Sequence, residues 1–438
     1  MNFIGVALLY NIPLLNFNCV LLCTGSDEDV RPCTGGKFTL YQPIILYRKF
    51  SADYIFNGYE LHRQQVLITD AAGVIVDTVT ENEAGDGVEK LNGIICPGFI
   101  NAHCHLELSH MKGHVPKHTG LVDFVLKVVN ERHFSEEEIL AAIESAETEM
   151  LQNGIVAVGD ICNNTLTIAQ KSKANLLYHN FIEASGFPPA VAETRFARSL
   201  EICNEYRTTI DEQRATINPH APYSVSPQIF AMINDFPNNN LITIHNQETA
   251  AENEFFEIGT GDFLRMYRQM GIAISFFKPT GKTSLQTWLP YFTKEQTIIS
   301  VHNVCTSAED LSFTQLPIAH CPLPIFFCLC PNANLYISNT LPDVKMLMQH
   351  TGNIVLGTDS LASNDQLSIL EEIKTLQHNF KELDLSTLLQ WATSNGSRAL
   401  QMDKTLGSFV KGKQPGVILI EGVENLRTDN NSSVKRIL

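Results

Sequence analysis

The feature that most constrains this chain is a succession of eight short apolar runs, each ending on a polar or ionisable residue where a strand would give way to a loop. In order they end at His103 to His105, Asp160, Glu183, His220, His245, His302, Cys330 to Asn332, and Asp359. Helical segments alternate with them, such as Ser135–Asn153 with Glu136, Glu137 and Glu138 in its first turn. Eight β/α repeats whose polar residues gather at strand C-termini imply an α/β fold, a closed parallel (β/α)8 barrel, because such a barrel assembles its site from those ends. Helices near Leu367–Phe380 and Ser386–Leu400 are expected to complete the barrel, which spans residues 94–402.

The flanks have a different period. Ala52–Phe56, Gln65–Thr69 and Val74–Val79 read as short strands joined by turns, and strand character returns at Val417–Ile420 after the turn at Gly412 to Gly416. Residues 48–93 and 403–438 are therefore expected to form one small β-sandwich domain built from both chain ends. The final residues, from about Arg427, are polar and expected to fray. Residues 1–47 show neither a period that packs on a barrel nor a targeting pattern, and they are expected to be an appendage outside the fold.

Composition excludes several classes of protein. In 438 residues, 31 Lys+Arg face 47 Asp+Glu, a formal net charge of -16 with no basic run longer than two, so a polynucleotide partner is not expected. The apolar stretch Ile4–Leu22 has no Lys or Arg ahead of it and is interrupted by Asn11, Pro13, Asn16 and Asn18, which argues against export and against a membrane anchor. The 11 cysteines are odd in number and include no CxxC, as in reduced, buried thiols of a cytoplasmic protein. A small-molecule substrate is the partner these features leave, and a homo-oligomer is compatible with them.

His103 and His105 lie two apart, so on one strand both imidazoles face the same side and can reach a single ion. Alone, that pair also fits two polar residues at a strand end. With His245, His302 and Asp359 at three other strand ends, the set supplies the imidazole and carboxylate ligands of zinc or iron. A divalent ion there offsets the desolvation cost of so many ionisable groups and brings the pKa of water from 15.7 to about 7. Glu248, three residues after His245, can place a carboxylate beside that water to take its proton, or can simply open a helix as an exposed acid. His220 either contacts substrate or caps a turn before Ala221-Pro222. Glu107 faces either the substrate or a neighbouring loop, and Ser363 and Asn364 are candidates to line the mouth. The segment Thr249–Thr293 leaves room for a bulky substituent that Phe255, Phe256, Phe263 and Trp288 could cover, although such residues are more often core.

The stretch Pro97-Gly-Phe-Ile-Asn-Ala-His-Cys-His105, the strand-end His245 and His302, and Gly357-Thr-Asp-Ser-Leu-Ala-Ser-Asn364 together resemble the amidohydrolase superfamily over about Arg48–Glu421. Within it the chain resembles the mononuclear deaminase and chlorohydrolase branch that includes S-adenosylhomocysteine, methylthioadenosine and aminofutalosine deaminases. The resemblance implies one catalytic metal per chain, zinc in the first instance and iron as the alternative, held by His103, His105, His245 and Asp359, with His302 beside the reacting water. It implies that Glu248, in a motif like HxxE, shuttles protons, and that His220, in Asn218-Pro-His220-Ala-Pro-Tyr223, contacts substrate. No Lys stands at the end of the fourth apolar run, where binuclear members carry a bridging lysine. His320-Cys321-Pro322 resembles a strand-end motif too, but Cys330-Pro-Asn-Ala-Asn-Leu335 matches the seventh strand better. The expected activity is release of ammonia from the exocyclic amine of a 6-aminopurine nucleoside of the 5′-modified adenosine type. The alternatives are another C–N or C–Cl bond, as in guanine or cytosine deamination, chlorohydrolysis or cyclic amide hydrolysis, or a non-catalytic metal-binding barrel.

Overall fold

A computed structural model describes residues 47–293, 296–316 and 323–438. Eight parallel strands carry the site: β1 (Phe99–Cys104), β2 (Ile155–Cys162), β3 (Leu177–Ala184), β4 (Ala215–Pro219), β5 (Leu241–Asn246), β6 (Thr297–His302), β7 (Ile325–Leu329) and β8 (Ile354–Leu356). They form two continuous four-stranded ladders, ordered β4-β3-β2-β1 and β5-β6-β7-β8. Every residue of β1, β2 and β5 is buried, as expected of parallel strands covered on both faces.

Asparagine side chains and a few backbone bonds stand at the two seams between the ladders. Between β4 and β5, Thr243 N–H donates to Asn218 Oδ1 at 2.9 Å and His245 N–H to the His220 carbonyl at 3.0 Å. Between β8 and β1, Cys104 bridges Asp359, the Thr358 and Asp359 N–H groups donate to the His103 carbonyl, and Thr358 N–H also reaches Asn101 Oδ1 at 3.0 Å. An asparagine inside a strand is unfavourable by propensity, but at a seam its amide satisfies backbone groups that no ladder reaches.

Helix Glu136–Gln152 begins where the sequence indicates. Ser135 Oγ accepts from Glu138 N–H and Glu138 Oε2 accepts from Ser135 N–H, a reciprocal cap that satisfies two otherwise orphaned donors. The expected Leu367–Phe380 helix is Ile369–Asn379. The last expected helix is broken into Leu385–Gln390, a π-helical turn at Trp391–Asn395, and Gly396–Ala399.

The flanking strands form a four-stranded sheet of Ile75–Thr80, Gln65–Thr69, Arg48–Ser51 and Val88–Lys90, and a five-stranded sheet of Ser433–Arg436, Val417–Glu421, Ile94–Pro97, Tyr54–Phe56 and Leu61–His62. The segments on either side of the parallel strands thus meet through the antiparallel pairing of Val417–Ile420 with Ile94–Pro97. Phe50, Leu67, Ile95, Phe409 and Leu419 share one buried cluster.

One expectation is corrected here. Ser433–Arg436 is not frayed, since it pairs with Val417–Glu421 as an edge strand whose polar residues face outward. Gly98 separates Ile94–Pro97, a strand of the end sheet, from β1. A Cβ at Gly98 would lie 2.2 Å from a Val156 methyl and 2.9 Å from the Pro415 carbonyl, so only glycine fits that crossing. The expectations for residues 1–46 and for His320-Cys321-Pro322 fall outside the described residues.

Candidate metal centre

His103 and His105 leave the end of β1, His245 lies on β5, and Asp359 follows β8. Their ligand atoms all lie within 4.8 Å of one another. His105 Nε2 stands 3.1 Å from His245 Nε2 and 3.4 Å from Asp359 Oδ1, and His103 Nε2 is 3.6 Å from the same carboxylate oxygen. His103 is fully buried, and neither ring nitrogen has a hydrogen-bond partner among the described residues. A buried imidazole left unpaired costs free energy that a metal bond removes.

The protonation states suit ligation. Burial lowers His105 to about 4 and, with the neighbouring His220 and His103 rings, holds His245 well below its usual value, so both are neutral near pH 7. Burial works to raise the Asp359 carboxyl, but the neighbouring His103, His105 and His302 rings hold it well below the carboxylate range. The Nδ1 of His245 faces the His220 carbonyl at 2.7 Å, which places the ring proton on Nδ1 and leaves Nε2 as the lone-pair donor. A divalent transition metal fits this donor set.

The residues expected to move protons flank the ligands. Glu248 is buried and its Oε2 is 3.7 Å from His302 Nε2. Burial first, then the Asp359 and Glu252 carboxylates, push Glu248 well above the usual glutamate range. His302 is lowered by burial to about 3. Asn334 Nδ2 lies 3.0 Å from His302 Nδ1, and an amide donating there leaves the ring proton on Nε2, the nitrogen facing Glu248. Gln247, His302 and Asp359 have φ of +48°, +72° and +57°, left-handed values that cost each non-glycine residue roughly 1–3 kcal/mol. Such strain recurs at the ends of β5, β6 and β8, the ends that carry His245, His302 and Asp359.

His220 pairs through Nδ1 with Glu183 Oε1, and its ring packs 4.6 Å from that of His245. Burial alone would raise Glu183 and lower His220, yet their mutual attraction reverses both, taking Glu183 down to about 2 and His220 up. His220 keeps 26% of its side chain exposed, while Glu183 keeps 5%.

Glu107 is buried, its Oε2 accepts from Asn163 N–H at 2.8 Å, and its Oε1 has no partner among the described residues; burial pushes its carboxyl up to about 7. Ser363 is placed behind the site. It is fully buried and donates to Asp359 Oδ2 at 2.6 Å, which orients a ligand instead of lining the mouth. Asn364 is likewise spent, on the Thr358 carbonyl and on Glu372. Phe255, Phe256, Phe263 and Trp288 are all core. Glu183 and Asn334 were not singled out from sequence as site residues, although each stands at or just beyond a strand end. Position there is the one signal that could have drawn attention to them.

Three imidazoles and a carboxylate at parallel-strand ends, with a buried carboxylic acid alongside, define a metal-dependent hydrolase site. The match of the amidohydrolase family model to residues 94–436 shows which one: the chain belongs to the amidohydrolase family, hydrolases acting on carbon–nitrogen bonds. It is 26% identical over 399 residues to the aminodeoxyfutalosine deaminase of a Nitratiruptor species, covering 85% of this chain and 92% of that protein. Among solved structures it resembles the aminofutalosine deaminase of Helicobacter pylori in complex with methylthio-coformycin, with a TM-score of 0.70, 22% identity, and coverage of 87% of this chain and 93% of that one. An adenosine deaminase from Xanthomonas campestris with bound zinc is similar at a TM-score of 0.66 and 20% identity, covering 85% and 84%. No described helix is long and apolar enough to cross a membrane.

Proposed function

We propose that this protein is a hydrolytic deaminase of 5′-modified adenosines, with the two ladders and their bridged seams acting as one (β/α)8 barrel and the flanking sheets as a small sandwich. The observation that carries this reading is Glu248, a buried carboxyl group whose Oε2 faces His302 Nε2 at 3.7 Å beside the ligand set. Relatives named as deaminases of aminodeoxyfutalosine, of adenosine and of 5-methylthioadenosine/S-adenosylhomocysteine support an adenine nucleoside as substrate.

His103, His105, His245 and Asp359 would hold the ion, zinc in the first instance, and when bound it acidifies water and polarises the reacting carbon. Glu248 takes one proton from water and passes it to the ring nitrogen next to the amine-bearing carbon, relieving the aromatic system as the new C–O bond forms. His302 donates from Nε2 toward the attacking oxygen and stabilises charge developing there. The other proton of that water, left on the new C–O–H group, then passes to the amine; the C–N bond breaks with its electron pair on nitrogen as the C=O forms, and ammonia leaves from an inosine-type product. The charged His220–Glu183 pair orients the purine, and the free oxygen of Glu107 accepts from a substrate donor.

Ammonia release across a panel tests the proposal. Methylthioadenosine, S-adenosylhomocysteine or aminofutalosine should react at least about tenfold faster, in kcat/KM, than guanine, cytosine or a chlorinated triazine, a difference of roughly 1.4 kcal/mol that ribose contacts can supply. Equal or faster turnover of the latter group would overturn the nucleoside assignment and leave the metal site standing.

A further inference from the structure

Glu252 is a buried carboxylate that the chemistry above does not use. It lies in the first turn of the helix Ala250–Ile258, whose N-cap, Thr249, offers no side-chain cap. Glu252 is 0% exposed, yet it points away from its own helix and back along the chain. Its Oε1 accepts from Gln247 N–H at 2.9 Å and Ser284 Oγ at 2.5 Å, and its Oε2 accepts from Glu248 N–H at 3.3 Å.

Those two amides belong to the strained turn between His245 and Glu248, where Gln247 sits in the left-handed region. A strained turn keeps its geometry only when its surroundings over-determine it. Here one carboxylate grips both amides, and the grip is itself anchored. Ser284 opens the short helix Ser284–Trp288, whose Trp288 Nε1 donates to Asn246 Oδ1 at 2.8 Å. Gln247 is fastened from its other end as well, through Nε2 to Asp310 Oδ2 at 2.8 Å and through Oε1 from Thr306 Oγ1 at 2.7 Å.

We propose that Glu252, braced by Ser284, is a positioning residue that fixes the backbone of Glu248 so that its carboxylate stays against His302. The inference rests on the role assigned to Glu248. A helix-capping acid of purely structural value would affect folding stability; a clamp on Glu248 affects turnover only through Glu248. Glu252→Gln separates the two. The amide can still accept from Gln247 and Ser284, but it turns its NH2 group toward Glu248 N–H, donor against donor, and releases that one contact.

The experiment is a double-mutant cycle on the metal-loaded enzyme, measuring ammonia release from the panel nucleoside that the parent turns over fastest. In the parent background, Glu252→Gln should lower kcat by about tenfold or more, with KM within about threefold and metal content unchanged. In a Glu248→Gln background the same change should alter kcat by less than about twofold, because the group it positions is gone. Ser284→Ala should show the same pattern with a smaller loss, and it carries the test if Glu252→Gln does not fold. Equal losses in both backgrounds, or a lowered Tm with kcat intact, would overturn the clamp. A Glu248→Gln enzyme as active as the parent, or a parent that releases ammonia from no nucleoside, would instead overturn the function proposed above and take this inference with it.

Discussion

At the scale of single residues, the ligand set makes graded predictions. His103→Ala or Asp359→Ala removes one of four ligands and should abolish both tight metal binding and activity. Ser363→Ala leaves the four ligands in place but frees Asp359 Oδ2 from its 2.6 Å bond, and metal affinity should fall by about 10- to 100-fold. Metal titration against a competing chelator reads both, and a Ser363→Ala protein with parental affinity would show that the hydroxyl does not orient the ligand. Glu248→Gln keeps shape and metal but cannot carry a proton, so kcat should drop by about 10²- to 10⁴-fold. A variant within about threefold of the parent would assign proton transfer to another group.

Among the elements, Glu372 ties the ends of β7 and β8 together. It lies on helix Ile369–Asn379 and is 0% exposed; its Oε2 accepts from Asn332 N–H at 2.9 Å and its Oε1 from Asn364 Nδ2 at 2.9 Å. Burial pushes its carboxyl up to about 8, against roughly 4.3 in an unfolded chain. Below about pH 4.3 both states hold the proton and the group is neutral in the balance. As pH rises to about 8 the unfolded chain loses the proton first, so this residue lowers stability progressively across that window. Glu372→Gln cannot ionise. It carries a constant cost for a mismatched amide, and its Tm deficit relative to the parent should shrink between about pH 5 and about pH 8. A deficit that is constant or grows with pH would mean that Glu372 is already ionised in the folded protein at about pH 5.

On the scale of the whole molecule, the described elements begin at Arg48 and the family match at residue 94. Deleting residues 1–47 should leave turnover at the parental level and Tm within about 5 °C, which thermal melts and the ammonia assay measure together. An insoluble or inactive truncation would place that segment inside the working fold. The sequence by itself determined the alternation of eight apolar runs with helices and the polar residue ending each run, because strand burial and helix capping are written locally. It also pointed to His103, His105, His245 and Asp359 as a group through their places at strand ends, and the fold brings their ligand atoms within 4.8 Å of one another. Tertiary structure alone decided how the ladders meet, where Asn101 and Asn218 stand in for missing ladder bonds, and that Ser433–Arg436 is an edge strand instead of a frayed end. It decided, too, that Ser363 serves Asp359, that Glu183 charges His220 and that Glu252 grips the turn before Glu248. Each of these depends on a side chain meeting a partner from another turn or strand, and no periodicity in the sequence encodes which partner a buried polar group will find.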